Sequence, residues 1–328
     1  MVSALASGQD YAAARDLILD TDGGVDDAQA LLMLLANGRP PSAITTVFGN
    51  VSRNQATRNM LDVLALAKAD IPVYPGASRA LVADPVDAKH VHGEDGLGGV
   101  ARPQSGHQAK DLPAPEFLIS ALRGAIAAGG RVDVLMIGPL TNLALVLRAA
   151  PDCLEGIGQL TIMGGTINGR GNTTPAAEFN IFADPEAAEI VLGCGAHTVL
   201  APWETCYEHF LSGDEMDKMV ETANLSPSGR MFRDLCSRSR AVVESYIGED
   251  RLPMIDPLAA AAVLDPGIVA ETLSASVQVA LAPGLTRGMT VVDPSGRLDA
   301  PKIDLIQAAD MTRIARLIVR TLETHTEN

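Results

Sequence analysis

The chain is poor in aromatic residues, in basic residues and in long hydrophobic runs. No stretch of about 18 consecutive apolar residues occurs, so no segment reads as a membrane-spanning helix. Aromatics make up only 3% of the chain, so Ala, Leu, Val and Ile must build the core. Lys and Arg number 25 against 40 Asp and Glu, a net charge of -15. That balance argues against nucleic acid or an anionic membrane surface as a partner. The four cysteines, Cys153, Cys194, Cys206 and Cys236, are scattered and form no CxxC pair. This speaks against a thiolate metal centre and against a disulfide framework, and suits buried thiols in a reducing compartment. Residues Met1 to Asp16 lack a basic start followed by an apolar run. No signal peptide is therefore expected, and the reading is cytoplasmic.

What remains is 328 residues with 47% apolar content, enough for a substantial core. Apolar runs alternate with helical patterns. Strands are expected at Leu17–Asp20, Ala43–Val47, Val73–Tyr74, Val132–Ile137, Leu160–Met163 and His197–Leu200. Helices are expected at Ala28–Asn37, Asn54–Ala69, Glu116–Ala128, Leu140–Ala149 and Pro185–Leu192. The alternation predicts an α/β fold with a mainly parallel sheet flanked by helices. Ligands of such sheets bind beyond the carboxyl ends of the strands. After Pro202 the pattern is mainly helical, with two late strands, Ala275–Leu281 and Met289–Val292, before a last helix, Met311–Thr324. No repeat or low-complexity linker divides the chain. A single domain over 1–328 is expected, with a helical C-terminal elaboration and a flexible tail over the first 15 or so residues. Two polar, Gly-rich segments, Gly76 to Pro113 and Gly164 to Ala176, are candidate site walls.

The densest chemistry lies in Leu17-Ile18-Leu19-Asp20-Thr21-Asp22-Gly23-Gly24-Val25-Asp26-Asp27. An apolar strand ends in four carboxylates with two glycines among them. Crowded carboxylates repel one another, and burying them without a counter-charge is costly. A hard cation answers both problems, because every candidate ligand is oxygen. An EF-hand is a poor fit, since Leu31 stands where its loop needs a bidentate Glu. An Asp-nucleophile phosphotransferase, with Asp20 as nucleophile and Asp22 as acid/base, is a better rival.

The whole string Asp20-x-Asp22-x-Gly24-x-Asp26-Asp27 resembles the calcium-dependent nucleoside hydrolases, the inosine-uridine-preferring N-ribohydrolase family. So do Ile44-Thr45-Thr46-Val47-Phe48-Gly49-Asn50, His90-x-His92-Gly93-x-x-Gly96 and Gly138-Pro139-Leu140-Thr141-Asn142. So too do Met163-Gly164-Gly165, Asn172 with Glu178-Phe179-Asn180, and Ile255-Asp256-Pro257. These segments follow the family's order over nearly the whole chain. The resemblance implies a Rossmann-like nucleoside hydrolase fold and a Ca2+ ion held by Asp22, Asp27, Asp256 and the Ile137 carbonyl. It implies Asp22 as acceptor of the attacking water's proton and Asn50 as the residue orienting that water or a metal-bound carboxylate. It assigns Asp26 and Asn180 to the ribose 2′-hydroxyl, Asp256 to the 3′-hydroxyl, and Asn172 and Glu178 to the 5′-hydroxyl. His92 is placed near the entrance, and Asp20 steadies the loop.

The implied reaction cleaves the N-glycosidic bond of ribonucleosides to ribose and base, in nucleoside salvage. The partner is then a small nucleoside, and the implied assembly is a homo-oligomer, dimer or tetramer. Alternatives are a non-catalytic calcium and riboside binder and the Asp20 phosphotransferase. One position departs from the pattern: Ile255 stands where better-known members carry His or Trp. Leaving-group protonation then falls to His92, Glu204, His209, Tyr246 or solvent. Taken alone, several of these residues have plain readings: Asp256 as a helix N-cap, Trp203 as core packing, His90 and His92 as solvated loop residues.

Overall fold

The computed structural model describes residues 15–324. The expected tail falls almost wholly outside that range. Among the described residues eleven strands occur in chain order: β1 Leu17–Thr21, β2 Ala43–Thr46, β3 Val73–Pro75, β4 Val132–Met136, β5 Ile157–Met163, β6 Thr198–Ala201, β7 Phe210–Ser212, β8 Arg251–Pro253, β9 Val269–Val279, β10 Thr290–Asp293 and β11 Lys302–Ala309. Nine of them form one sheet in the order β10-β9-β11-β6-β5-β4-β1-β2-β3. β9 pairs antiparallel with both neighbours, and the other pairings are parallel. The mainly parallel sheet expected from the alternation is therefore present.

The C-terminal part holds the expected helices and late strands, with three strands added: β7, β8 and β11. β9 and β10 fall at the two late strands expected from sequence, β9 starting six residues earlier, and with the unforeseen β11 they extend the main sheet beyond β6. β11 shows no apolar run in sequence; Lys302, Asp304 and Gln307 interrupt it, and Ile303 and Leu305 enter one apolar layer and Ile306 the other. The strands β7 and β8 are three-residue pieces that pair with each other as a separate ribbon.

Strand side chains alternate between faces. Leu17 and Leu19 enter one apolar layer and Ile18 the other. The first layer holds the helices Val25–Ala36, Arg53–Ala67, Pro227–Ile247, Ile255–Leu264 and Met311–Glu323. The second holds Ala114–Ala127, Thr141–Ala149 and Pro185–Leu192. Small residues do much of the packing, as the shortage of aromatics requires. Ala259, Ala260, Ala261 and Ala262 are all buried on the helix Ile255–Leu264, which packs against Val25–Ala36.

The chain runs from β1 outward to β2 and β3, then returns to β4 on the opposite side and proceeds to β5 and β6. That reversal opens a crevice at the carboxyl ends of β1 and β4, the usual place for a ligand in such sheets. Gly23 makes the turn out of β1 at φ +73°, and a Cβ there would lie 2.5 Å from the Ala56 Cα. Two helices, Val25–Ala36 and Ile255–Leu264, begin at this crevice. Asp26 and Asp27 sit in the first turn of one, and Asp256 in that of the other. Helix N-termini carry partial positive charge, which favours carboxylates there.

Candidate active site

Beyond these strand ends lies a cavity of about 430 Å³. Its inner end is polar: Asp26, Asn50, Glu178, Asn180 and Asp256 face it, with Ile137 between them. Its outer end is largely apolar, walled by Trp203, Tyr207, Val242, Val243, Tyr246 and Ile255.

The floor is a network of buried carboxylates. Asp22 accepts from the Asn50 backbone N–H at 2.7 Å and from Asn50 Nδ2 at 2.9 Å. The same Nδ2 donates to Asp27 at 3.0 Å, so one amide holds two carboxylates. Asp27 also accepts from the Thr21 hydroxyl, from Asp22 N at 3.2 Å and from Gly24 N at 2.8 Å. Gly49 is glycine for room, since a Cβ there would collide with the Asp22 carboxylate. Oxygens of Asp26, Asp27 and Asp256 all lie within 4.8 Å of one another. Burial raises the pKa of each: Asp26 to about 6, Asp22 and Asp256 well above the ordinary range, and Asp27 upward as well. The charge of Asp27 adds to the effect at Asp22, and that of Asp26 at Asp27 and Asp256. Asp26 Oδ1 is buried without a hydrogen-bond partner. Mutually repelling buried oxygens, one of them unsatisfied, fit a hard, oxygen-seeking cation.

His92 belongs to this network but not as a cation. Its Nδ1 lies 3.6 Å from Asp26 Oδ1, yet that nitrogen accepts from the Val25 N–H at 3.1 Å and so carries no proton. Burial holds its pKa down at about 4. The contact is therefore not an ion pair, and the neutral ring orients the start of the helix Val25–Ala36.

Glu178 caps the helix Phe179–Ala183. Its carboxylate accepts from Gly165 N at 2.9 Å, Asn180 N at 2.8 Å and Ile181 N at 3.1 Å, and burial raises its pKa to about 7. Asn180 Nδ2 donates to the carbonyls of Ile137 and Met163, both at 3.2 Å. A carbonyl has a second lone pair, so Ile137 keeps acceptor capacity. Asn172 accepts from Phe179 N at 2.9 Å and lines the cavity.

A family model described as "Inosine-uridine preferring nucleoside hydrolase" matches residues 17–316. The chain belongs to that family. A non-specific ribonucleoside hydrolase (RihC) of Escherichia coli is 40% identical over 288 residues, covering 87% of this chain and 90% of the relative. A probable uridine nucleosidase of Arabidopsis thaliana is 31% identical over 324 residues, covering 94% of this chain and 97% of the relative. Among solved structures, a plant nucleoside hydrolase superposes with a TM-score of 0.87 at 28% identity, covering 95% of this chain and 99% of the other. A purine-preferring ribonucleoside hydrolase of Gardnerella vaginalis gives 0.84 at 29% identity, covering 94% and 98%.

Within this nucleoside hydrolase fold, the residues singled out from sequence converge on one place. Asp26, Asn50, His92, Ile137, Asn172, Glu178, Asn180 and Asp256 line the cavity, and Asp22 and Asp27 lie directly beneath it. The tight carboxylate trio contains Asp26 where the sequence reading placed Asp22. Asp256 is not the N-cap of its helix; Met254 holds that position. Asp20 is no nucleophile. It is 1% exposed, is not among the residues lining this cavity, and accepts from Thr45 Oγ1 at 2.5 Å and Asn142 Nδ2 at 2.7 Å. Family membership and this burial together remove the phosphotransferase alternative.

The leaving-group candidates separate as well. The Glu204 carboxylate is taken by the backbone N–H groups of Ile167, Asn168 and Arg170. His209 Nδ1 donates to the Thr205 carbonyl at 2.7 Å, and its Nε2 accepts from Ala309 N at 3.0 Å. Neither residue lines the cavity. Tyr246 does, at 66% exposure on the rim. Of the aromatic wall, the sequence reading weighed Trp203 as site wall or core packing and named Tyr246, but passed over Tyr207. Trp203 stacks on Tyr207 at 5.0 Å, and the Arg251 guanidinium lies 4.7 Å over the Tyr207 ring. It also passed over Arg238, Val242 and Val243 on the helix Pro227–Ile247, whose spacing resembles that of any half-buried helix face.

Proposed function

We propose that this protein hydrolyses the N-glycosidic bond of ribonucleosides to ribose and free base, with calcium as its metal. The observation that carries the reading is the two-ended cavity: an acidic, hydrogen-bonding floor suited to a sugar beneath an apolar, aromatic mouth suited to a base. Asp22, Asp27, Asp256 and the Ile137 carbonyl would hold the ion, with Asp26 next to them. Bound there, calcium supplies a Lewis acid that lowers the pKa of water.

The chain's own residues do the rest. Asp22 accepts the proton of the attacking water, and Asn50 fixes both of its oxygens for that task. The unsatisfied Oδ1 of Asp26 takes a ribose hydroxyl as donor. Asn180 and Asp256 bind the 2′- and 3′-hydroxyls, and Asn172 and Glu178 bind the 5′-hydroxyl. Surrounding carboxylates favour the positive charge that grows on the sugar as the bond breaks, as in other glycosyl hydrolysis.

The reading extends to one domain over 1–328, a homo-oligomer and a cytoplasmic role in nucleoside salvage. The described cysteines are all free, in keeping with a reducing compartment. A panel of ribonucleosides assayed for reducing sugar, with metal removed and calcium restored, tests the proposal. Loss and recovery of ribose release supports it. Tight riboside binding without release supports the non-catalytic binder instead.

A further inference from the structure

The cavity contains one cation whose purpose the fold does not explain. Arg238 projects from the helix Pro227–Ile247 and lines the cavity. Its stem lies against the backbone of the His90–Gly98 segment, where a Cβ on Gly98 would collide with it. Its Nη2 reaches the Val91 carbonyl at 3.4 Å, a long bond, and its Nε is buried without a partner. Among the described residues no carboxylate pairs with it. Arg240, two positions on, behaves as arginines in an acidic chain usually do: it pairs with Asp250 at 2.6 Å and also with Asp217. A guanidinium is costly to bury unpaired, so an unpaired one in a cavity wall is poised for something that arrives.

Among the described residues that line the cavity, Arg238 is the one arginine or lysine. His92 accepts at Nδ1 and so keeps its proton on Nε2 as a neutral ring, Tyr246 is 66% exposed on the rim, Ile255 has no proton to give, and Glu204 and His209 are engaged elsewhere. When the N-glycosidic bond breaks, its electron pair stays on the base. In an oxo base, that charge spreads onto a carbonyl oxygen. A guanidinium has donors and no acceptor, so it favours a carbonyl and disfavours an exocyclic amino group.

Resting on the ribonucleoside reading, we propose that Arg238 is the leaving-group contact, donating to a carbonyl oxygen of the departing base and selecting ribosides of oxo bases. Water oxygen bonds to the anomeric carbon as the carbon–nitrogen bond breaks with its pair going to the base. One water proton goes to Asp22. The base anion, held by Arg238, takes its proton from solvent, and the sum is riboside plus water to ribose plus base.

The test uses the whole protein with calcium and two variants. Arg238→Met keeps the stem against Gly98 and removes the charge; Arg238→Lys restores a charge without the fork. Substrates are inosine or uridine, whichever the wild type cleaves faster, and 4-nitrophenyl riboside, whose phenolate departs without help. Adenosine, which lacks a carbonyl, is the third. Loss of a hydrogen bond to a charged group predicts a fall of about 10- to 100-fold in kcat/KM for the oxo-base riboside in Arg238→Met. The 4-nitrophenyl riboside should change by less than about 3-fold, the preference over adenosine should shrink, and Arg238→Lys should recover part of the loss. Parallel losses on all three substrates would assign Arg238 to packing and overturn the proposal, as would an unchanged oxo-base rate. If wild type releases ribose from none of them, the riboside reading itself fails, and this proposal falls with it.

Discussion

Removing calcium should make this protein less stable at neutral pH than at mildly acid pH. Burial lifts the pKa of Asp20 and Glu178 to about 7 and that of Asp26 to about 6. In each case the folded value lies above the unfolded one, so the folded state binds more protons between the two. The stability these groups contribute is fully present below about pH 4 and is lost as the pH rises through 6 to 7. From pH 5 to the Glu178 value of about 7, at about 1.4 kcal/mol per pH unit, the loss is on the order of 3 kcal/mol. Asp20 contributes a loss of similar order. Unfolding entropy near 2.1 cal/mol/K per residue gives about 0.7 kcal/mol/K for 328 residues. Each such group then lowers the melting midpoint by about 4 °C. Scanning calorimetry of metal-free protein at pH 5 and pH 8 reads the effect directly. Calcium binds the ionised carboxylates, so adding it should raise the midpoint far more at pH 8 than at pH 5. A metal-free midpoint that holds steady or climbs between those pH values would refute the argument. So would a calcium effect of equal size at both.

Other substitutions probe separate parts of the site. Asp22→Asn should lower kcat by about 10²- to 10⁴-fold while leaving riboside binding measurable by calorimetry, because it removes the proton acceptor. Asn50→Ala strips the amide that joins Asp22 to Asp27 and should weaken calcium affinity by about 10- to 100-fold, read by titration calorimetry. Ile255→His should alter the ranking of bases in kcat/KM and leave inhibition by free ribose within about 2-fold, since position 255 lines the outer end of the cavity. Gly23→Ala should cost about 1–3 kcal/mol in denaturant unfolding, because a left-handed φ and the approach to Ala56 both exclude a side chain.

The parts of the molecule legible in sequence share a physical trait: their signal is local. β1, β2, β4 and β6 are short apolar runs bounded by polar turns, and each was placed to within a residue or two. The carboxylate floor of the cavity was legible because one strand end concentrates four carboxylates and two glycines. β11 was not, because Lys302, Asp304 and Gln307 interrupt its apolar residues and the strand is completed only by pairing to β6 and β9. Glu178 as a helix cap stayed hidden for a similar reason, since its carboxylate is held partly by Gly165, thirteen residues away. The base end assembles Trp203, Arg238, Val242 and Ile255 from three elements far apart in the chain, and no spacing rule links them.

The buried alanine run of the helix Ile255–Leu264 limits how this enzyme can change. Ala259 to Ala262 are buried around that helix, which packs against Val25–Ala36, and each helix brings aspartates to the floor at its first turn. A larger residue among the four alanines would push the carboxylates apart, so the sugar half tolerates little drift. The mouth is built otherwise. Arg238, Val242, Val243 and Ile255 are partly exposed, so replacements there meet solvent on one side. Descendants of this sequence are therefore free to trade one base for another while their grip on ribose stays fixed.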